Sequence, residues 1–552
     1  MACAAFADAP QPPDKSILDL QPRRQTTALE FHAAASGRGS ATLVNLNPAV
    51  GIWYLLSLNS GGSGHDYHLQ SATDEGLELR LDRGGLVLVE AGRTSLCALW
   101  ADGVGAALES ARRSGLPYAP LCGGRLYLRN AVEGSYTRLE RVTGFLRDHV
   151  WGGEQIISFV RDQFYQDAFL QQAAPAAVQE GMDDPAAPPP ARQTNGDPAY
   201  IAPGDLDIDL GGAVRSLRIG SWYPVHDMPS VYVSAAQPRA VAPAVLDRYR
   251  NRVERLDAVE AEALDYLVAF DLSQFALGFA LGTDHPRVGW SEHILDAMRD
   301  ARLPGPDGIG TTAPLARTGM VSPALNPFVA AAFTGGFKRE HGAFRYGELA
   351  DRNFGSHYGF IEEGVVFSTL QPGLATVYVL SDGTVGMKTW TMEDNALLPD
   401  LRYARQNGVA LVDDDPVSGT PQPGPLVTQW AAGNWSGSKE EKFRTLRAGL
   451  CLLETPGQRF LVYGYFPSAT PSAMARVFQA YGCRYAMHLD MNALEHTYLA
   501  LYSREGSRLL VQHLVHGMEE VDRKGGNQLA PRFIGFPDDR DFFYLLRRGR
   551  AP

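Results

Sequence analysis

The chain has 552 residues, 45% of them hydrophobic and 20% charged, which is the balance of an ordinary globular protein with room for two or three domains. Its 62 acidic and 50 basic residues leave a formal net charge of −12; this repels nucleic-acid phosphates, and no basic stripe interleaved with aromatics offsets it. No apolar run approaches the length of a membrane-spanning helix, and P-loop, dinucleotide-fold, nucleophile-elbow and His-Glu-x-x-His patterns are absent.

Residues 1–28 lack periodicity and read as an extended leader. Ala5-Phe6-Ala7 before Asp8 has the form of a signal-peptidase site, without the basic head and most of the apolar core. The leader points to the periplasm or the extracellular space, with Cys3 as an alternative point of lipid attachment. A plain unstructured terminus is the competing reading. Residues 29–171 form a smaller β-rich domain. Strands are expected at Ala41–Leu46, Gly51–Leu58, Leu77–Leu81 and Leu86–Val89, and helical patterns at Ala106–Arg113 and Gln155–Gln171. Residues 172–217 are a Pro/Ala-rich linker that cannot build a core.

Residues 218–552 make the second domain. Strands are expected at Ser230–Ser234, Leu267–Leu272 and Phe275–Leu281. A helix is expected through Leu246, Tyr249, Val253 and Leu256, and another over Ser472–Tyr481. Many short β-runs separated by glycine turns complete it. The fold class is therefore α+β: a mixed or antiparallel sheet flanked by helices, after a smaller β-rich domain. The five cysteines include no Cys-x-x-Cys, so no structural zinc is expected. Cys97 with Cys122, and Cys451 with Cys483, are either disulfides of an oxidising compartment or buried thiols.

Several constellations carry polar groups suited to chemistry. In Ala486–Asn492, strand alternation puts Met487, Leu489 and Met491 on one face and His488, Asp490 and Asn492 on the other. Thr334-Gly335-Gly336-Phe337-Lys338 has paired glycines that allow close backbone approach, followed by a cation. Arg405-Gln406-Asn407 and Arg447-Ala448-Gly449 offer guanidinium forks for phosphate oxygens. Arg540 and Asp541, before the apolar run Phe542-Phe543-Tyr544, read as a structural ion pair. Asp284-His285-Pro286 reads as a turn.

In this order, with Pro372–Thr376 entering a strand and Ser381–Val385 as a hairpin turn, these segments resemble the phosphodiester glycosidase family of the uncovering-enzyme type. The likeness spans roughly Ser230 to Tyr544. The family's Asn before the two glycines is Thr334 here, and its Gly/Ser run after Leu-Asp is replaced by Met491–Thr497; a bacterial subgroup with Leu-Asp-Ile-Asn is closer. The resemblance implies hydrolysis of a sugar-1-phosphodiester in envelope or extracellular glycans. It implies Asp490 as base or nucleophile, His488 as proton carrier and Arg447 and Arg405 as phosphate holders. Thr334, Gly335, Gly336, Lys338, Gln406, Asn407 and Asn492 then line the substrate. Glu362, Glu363, Glu495 and Asp284 are candidates for a second carboxylate. Calcium or magnesium near Asp490 is an open cofactor reading, with no EF-hand or His-rich spacing behind it. Two alternatives compete. One is a non-catalytic glycan- or envelope-binding protein on the same scaffold. The other is a structural envelope protein, in which Asp490 sits in an internal salt bridge.

Overall fold

The computed structural model describes residues 15–136 and 199–549, apart from breaks at 34–36, 61, 74–76, 91, 102–104, 213, 250, 292–293, 340–343, 345–348, 351–356, 416, 429–443 and 526–527. The helical pattern expected at Gln155–Gln171 and most of the expected linker lie outside the described residues.

The N-terminal unit is a six-stranded sheet in the order Gln25–Ala33, Gly37–Asn45, Trp53–Ser60, Ser63–Ser71, Leu126–Arg129, Tyr118–Leu121. A three-stranded meander, Glu78–Asp82, Gly85–Glu90 and Arg93–Cys97, accompanies it, with one helix at Ala106–Arg113. A Cys97–Cys122 disulfide joins meander to sheet. The apolar run in Trp53–Ser60 is continuous because both faces of this sheet are covered. Tyr54, Leu56 and Leu58 enter the unit's own core, while Trp53 and Leu55 enter the larger core of the C-terminal body. Within the stretch read as leader, Ile17 is buried, and Gln21 bonds both the N–H and the carbonyl of Val366, at 2.8 and 2.7 Å.

The C-terminal body contains three large sheets. One has eight strands in the order Trp222–Val225, Met228–Ala236, Asp265–Asp271, Gln458–Ala469, Thr445–Thr455, Cys483–Met491, Ala410–Asp414, Pro421–Pro423. A second has five: Phe275–Ala280, Phe542–Arg547, Val329–Thr334, Leu499–Glu505, Arg508–His513. The third also has five: Val365–Ser368, Phe360–Glu362, Leu401–Gln406, Ala375–Leu380, Val385–Thr389. A second disulfide, Cys451–Cys483, ties neighbouring strands of the eight-stranded sheet.

The α+β expectation with helices flanking the sheet is overturned: the chain is a β-rich sandwich of several mostly antiparallel sheets with few helices. Sheets cover one another where helices were expected. Phe333 of the second sheet packs on Tyr463 of the first, at 5.3 Å between ring centroids, and Phe279 of the second on Phe360 of the third, at 6.4 Å. Pro471–Ala480 is a helix as expected, capped by Thr470 and buried at every residue against the eight-stranded sheet. The helix expected through Leu246–Leu256 stops at Arg248, where Tyr249 leaves the helical region at φ −126° and ψ 42°; Asp257 caps a separate helix, Ala258–Glu262, by accepting from the N–H groups of Val259 and Glu260.

Candidate functional site

Strand Cys483–Met491 alternates as the sequence predicts, yet both of its faces are covered: His488 is 0% and Asp490 3% exposed. His488 and Asp490 face different partners. The Arg447 Nη1 lies 3.0 Å from His488 Nε2, the ring packs on Phe337, and Nδ1 bonds the Leu489 carbonyl. A carbonyl only accepts, so Nδ1 carries the proton and Nε2 accepts from Arg447. Burial and then the Arg447 charge hold this imidazole well below its ordinary pKa, in the neutral form. Arg447 is itself fully buried. It donates to the Ala469 carbonyl at 2.7 Å and contacts Met491 Sδ at 3.2 Å, and burial pulls its pKa down to about 9.

Asp490 Oδ2 forms an ion pair with Arg540, and its Oδ1 accepts from the Met491 N–H at 2.9 Å. Arg540 also meets His496 Nε2 at 2.8 Å, and His496 Nδ1 donates to the Met491 carbonyl at 2.8 Å. Asn492 leaves the strand with φ of 81° and accepts from Thr445 Oγ1 at 3.0 Å.

The paired glycines follow strand Val329–Thr334, and Gly335 bridges the backbones of Asp490 and Asp541. Gly335 N–H donates to the Asp541 carbonyl at 2.9 Å, and the Gly335 carbonyl accepts from the Asp490 N–H at 3.2 Å. A Cβ on Gly335 would lie 2.2 Å from Asp541 Oδ2, and one on Gly336 would lie 2.5 Å from Asn407 Oδ1 and 2.9 Å from Arg405 Nη2. These glycines are thus required by polar side chains pressing on the backbone. Asn407 accepts from Phe337 N–H at 2.9 Å and donates to the carbonyls of His488 and Leu489 at 2.8 and 3.1 Å. Thr334 bonds the Glu495 carbonyl at 3.4 Å. Lys338 lies 3.5 Å from Asp539 and 3.8 Å from Asp284, half-buried at the rim.

Arg405 is 0% exposed and spans from Asp541 Oδ2, at 2.8 Å, to the Phe337 carbonyl, at 2.8 Å. Asp541 also holds Nδ1 of His285. Burial alone would raise the Asp541 pKa, but Arg405 and then His285 outweigh it and hold the carboxyl below the usual carboxylate range. An ionised Asp541 keeps the proton on His285 Nδ1. The opposite atom, Nε2, is buried with no hydrogen-bond partner among the described residues. Gln406 has every amide atom engaged with Gly359, Gln371 and Thr376.

Asp490, Gly335, Gly336, Arg405, Asn407 and, through Phe337, His488 therefore form one polar cluster, with Lys338 at its edge. Arg447 lies behind His488, and Gln406 and Asn492 brace neighbouring loops. The sequence reading missed His285, His496, Arg540 and Asp541. Arg540 and Asp541 do not pair with each other as expected: Arg540 pairs with Asp490, and Asp541 with Arg405 and His285. Two adjacent charges at the mouth of an apolar strand were the available signal; their partners are far away in sequence. Among the candidate second carboxylates, Glu362 and Glu363 lie outside the cluster, near Arg129 and on Arg402 respectively. Asp284 pairs with Arg287 at 3.0 Å. Asp490 is paired with Arg540; among the described residues, Asp207, His513 and Glu519 are the group whose ligand atoms lie close enough together to hold a metal ion. An open cavity of about 780 Å³ lies in the N-terminal unit, lined by Leu96, Leu116 and Arg125 among others, and shares no residue with the cluster.

No protein-family model matches the chain, and no curated protein matches it. Among solved structures, the chain is similar to the catalytic domain of zebrafish N-acetylglucosamine-1-phosphodiester alpha-N-acetylglucosaminidase, auto-inhibited by its pro-peptide. The identity is 10%, the match covers 59% of this chain and 85% of that one, and the TM-score is 0.28. It is also similar to a hypothetical protein from Synechocystis, at 11% identity, 90% and 97% coverage and a TM-score of 0.24. A third likeness is to a protein of Burkholderia pseudomallei described as exported, at 10% identity, 99% and 100% coverage and a TM-score of 0.23. These likenesses are weak and transfer no residue roles. No helix among the described residues is long and apolar enough to cross a membrane.

Proposed function

We propose that this chain is a hydrolase of glycosyl phosphodiesters, acting on envelope or extracellular glycans, with its centre between Asp490 and Asp541. The observation that carries the reading is Gly335, whose carbonyl and N–H bond the backbones of the two acidic residues, each of which is paired with a buried arginine. Such a reaction needs cations at the departing phosphate and a carboxylate near the oxocarbenium-like sugar carbon. Arg540 and Lys338 serve the phosphate. Asp490, released from Arg540 as the phosphate arrives, serves the sugar carbon. Asp541 orients His285 so that Nε2 takes the proton of the attacking water. The two disulfides agree with a periplasmic or extracellular setting.

A second reading has its own observation. Asp490 and Arg540 form an internal salt bridge, both under a tenth exposed, which suits a structural protein of the envelope rather than an enzyme. Release of free sugar from a panel of glycosyl-1-phosphodiesters, by wild type, Asp490→Asn and His285→Gln, separates them. Release by wild type that both variants lose supports the hydrolase. No release by folded wild type transfers the conclusion to the second reading, and release unaffected by either variant removes the site.

A further inference from the structure

A second cluster of titratable groups lies at the end of strand Arg508–His513, and the reading above does not use it. One ligand atom each from Asp207, His513 and Glu519 lies within 4.8 Å of the other two. Three stretches of chain bring them together. His513 ends its strand. Gly517, with φ of 96°, reverses the chain so that the turn Met518–Val521 carries Glu519 back. The segment after residue 199 docks alongside: Asp207 N–H donates to the Leu514 carbonyl at 3.0 Å, and His516 N–H to the Asp205 carbonyl at 2.9 Å.

The imidazole of His513 is the independent observation. Its side chain is 5% exposed, and its Nε2 lies 3.0 Å from Asp522 Oδ2. Asp522 is held in turn by the Tyr498 hydroxyl at 3.0 Å and the Arg532 N–H at 2.9 Å. A carboxylate accepts only, so the ring proton sits on Nε2 and the lone pair on Nδ1. Nδ1 makes no hydrogen bond among the described residues, although the ring is more than nine-tenths buried. A carboxylate behind a histidine that has two further carboxylates in reach of its ring is the arrangement that orients a metal-ligating imidazole.

We propose that Asp207, His513 and Glu519 bind one divalent cation, zinc, with Asp522 as the residue that positions His513. The mixed nitrogen and oxygen donors suit zinc better than calcium or magnesium, which prefer all-oxygen sets. Zinc–ligand bonds are about 2.0–2.1 Å; the Asp207 and Glu519 side chains are partly exposed, Glu519 accepting from the Gly517 N–H at 2.7 Å and Asp207 meeting His516 at 3.2 Å. The cation would clamp the segment around Asp207 onto the second sheet. It is independent of the glycosidase reading.

The test is calorimetric titration of the chelator-treated full chain with zinc chloride, beside Asp207→Asn, Glu519→Gln and Asp490→Asn, with circular dichroism as the check on folding. The expected result is about one zinc per wild-type chain, with affinity lower by at least about tenfold in Asp207→Asn and Glu519→Gln and unchanged in Asp490→Asn. Binding should also raise the melting temperature of wild type and of Asp490→Asn. Folded wild type that takes up no zinc, binding that survives both ligand substitutions, or calcium bound more tightly than zinc would each overturn the proposal.

Discussion

Glu362→Gln tests how the N-terminal sheet is held to the C-terminal body. Glu362 is 4% exposed; its Oε2 accepts from Leu281 N–H at 2.9 Å, and its Oε1 lies 3.7 Å from Arg129 Nη2. Arg129 is tied elsewhere: to Gln70 at 2.6 Å, and over the Trp53 ring at 4.0 Å. Burial therefore outweighs the attraction of Arg129 and pushes the Glu362 carboxyl from 4.5 up to about 7. The folded state then holds this proton more tightly than the unfolded chain. Its contribution is fully present below pH 4.5 and is lost as pH rises through about 7. At 1.36 kcal/mol per pH unit the loss is about 3 kcal/mol. Glutamine is neutral at every pH and still accepts from Leu281. The stability of Glu362→Gln relative to wild type should therefore increase by about 3 kcal/mol between pH 4.5 and pH 8. Urea unfolding followed by tryptophan fluorescence at several pH values measures the difference, in which all other titrations cancel. A difference that stays constant, or that grows in favour of wild type, would mean that Glu362 remains ionised against Arg129 and would refute the reasoning.

Two other substitutions probe the polar cluster by its packing. Asp541→Asn leaves the fully buried Arg405 without its counter-charge and should cost about 3–5 kcal/mol of unfolding free energy; a loss under about 1 kcal/mol would show that the Phe337 and Gln406 carbonyls suffice for Arg405. The wild-type Asp541 contribution should be present above about pH 4 and lost as pH falls through its depressed folded value, so Asp541→Asn should flatten the acid limb of the stability curve. Gly336→Ala drives a methyl into Asn407 and Arg405 and should cost about 1–3 kcal/mol. An unchanged urea midpoint would contradict the close approach.

Much of the strand content was legible, because alternation and β-branched runs are local signals. Met228–Ala236, Asp265–Asp271, Phe275–Ala280 and Cys483–Met491 lie where the pattern put them. The layering was not. A strand such as Thr445–Thr455, buried along almost its whole length, has the same apolar run whether a helix or a second sheet covers it. The α+β expectation chose helices, and the protein uses sheets.

The polar cluster divides in the same way. His488, Asp490, the two glycines and Arg405 stood out from sequence alone, because polar or small residues interrupt apolar strands only for a local reason. That reason was hidden. Asp490 meets Arg540, 50 residues later, and Arg405 meets Asp541, 136 residues later. His285 and Asp541, read as a turn and half of a local ion pair, join only across sheets, 256 residues apart. The sequence by itself determined where strands run, where chains turn and which charges must be paired if buried. Only the tertiary structure decided which charge pairs with which, because desolvation makes pairing obligatory while leaving the choice of partner to the packing of the sheets.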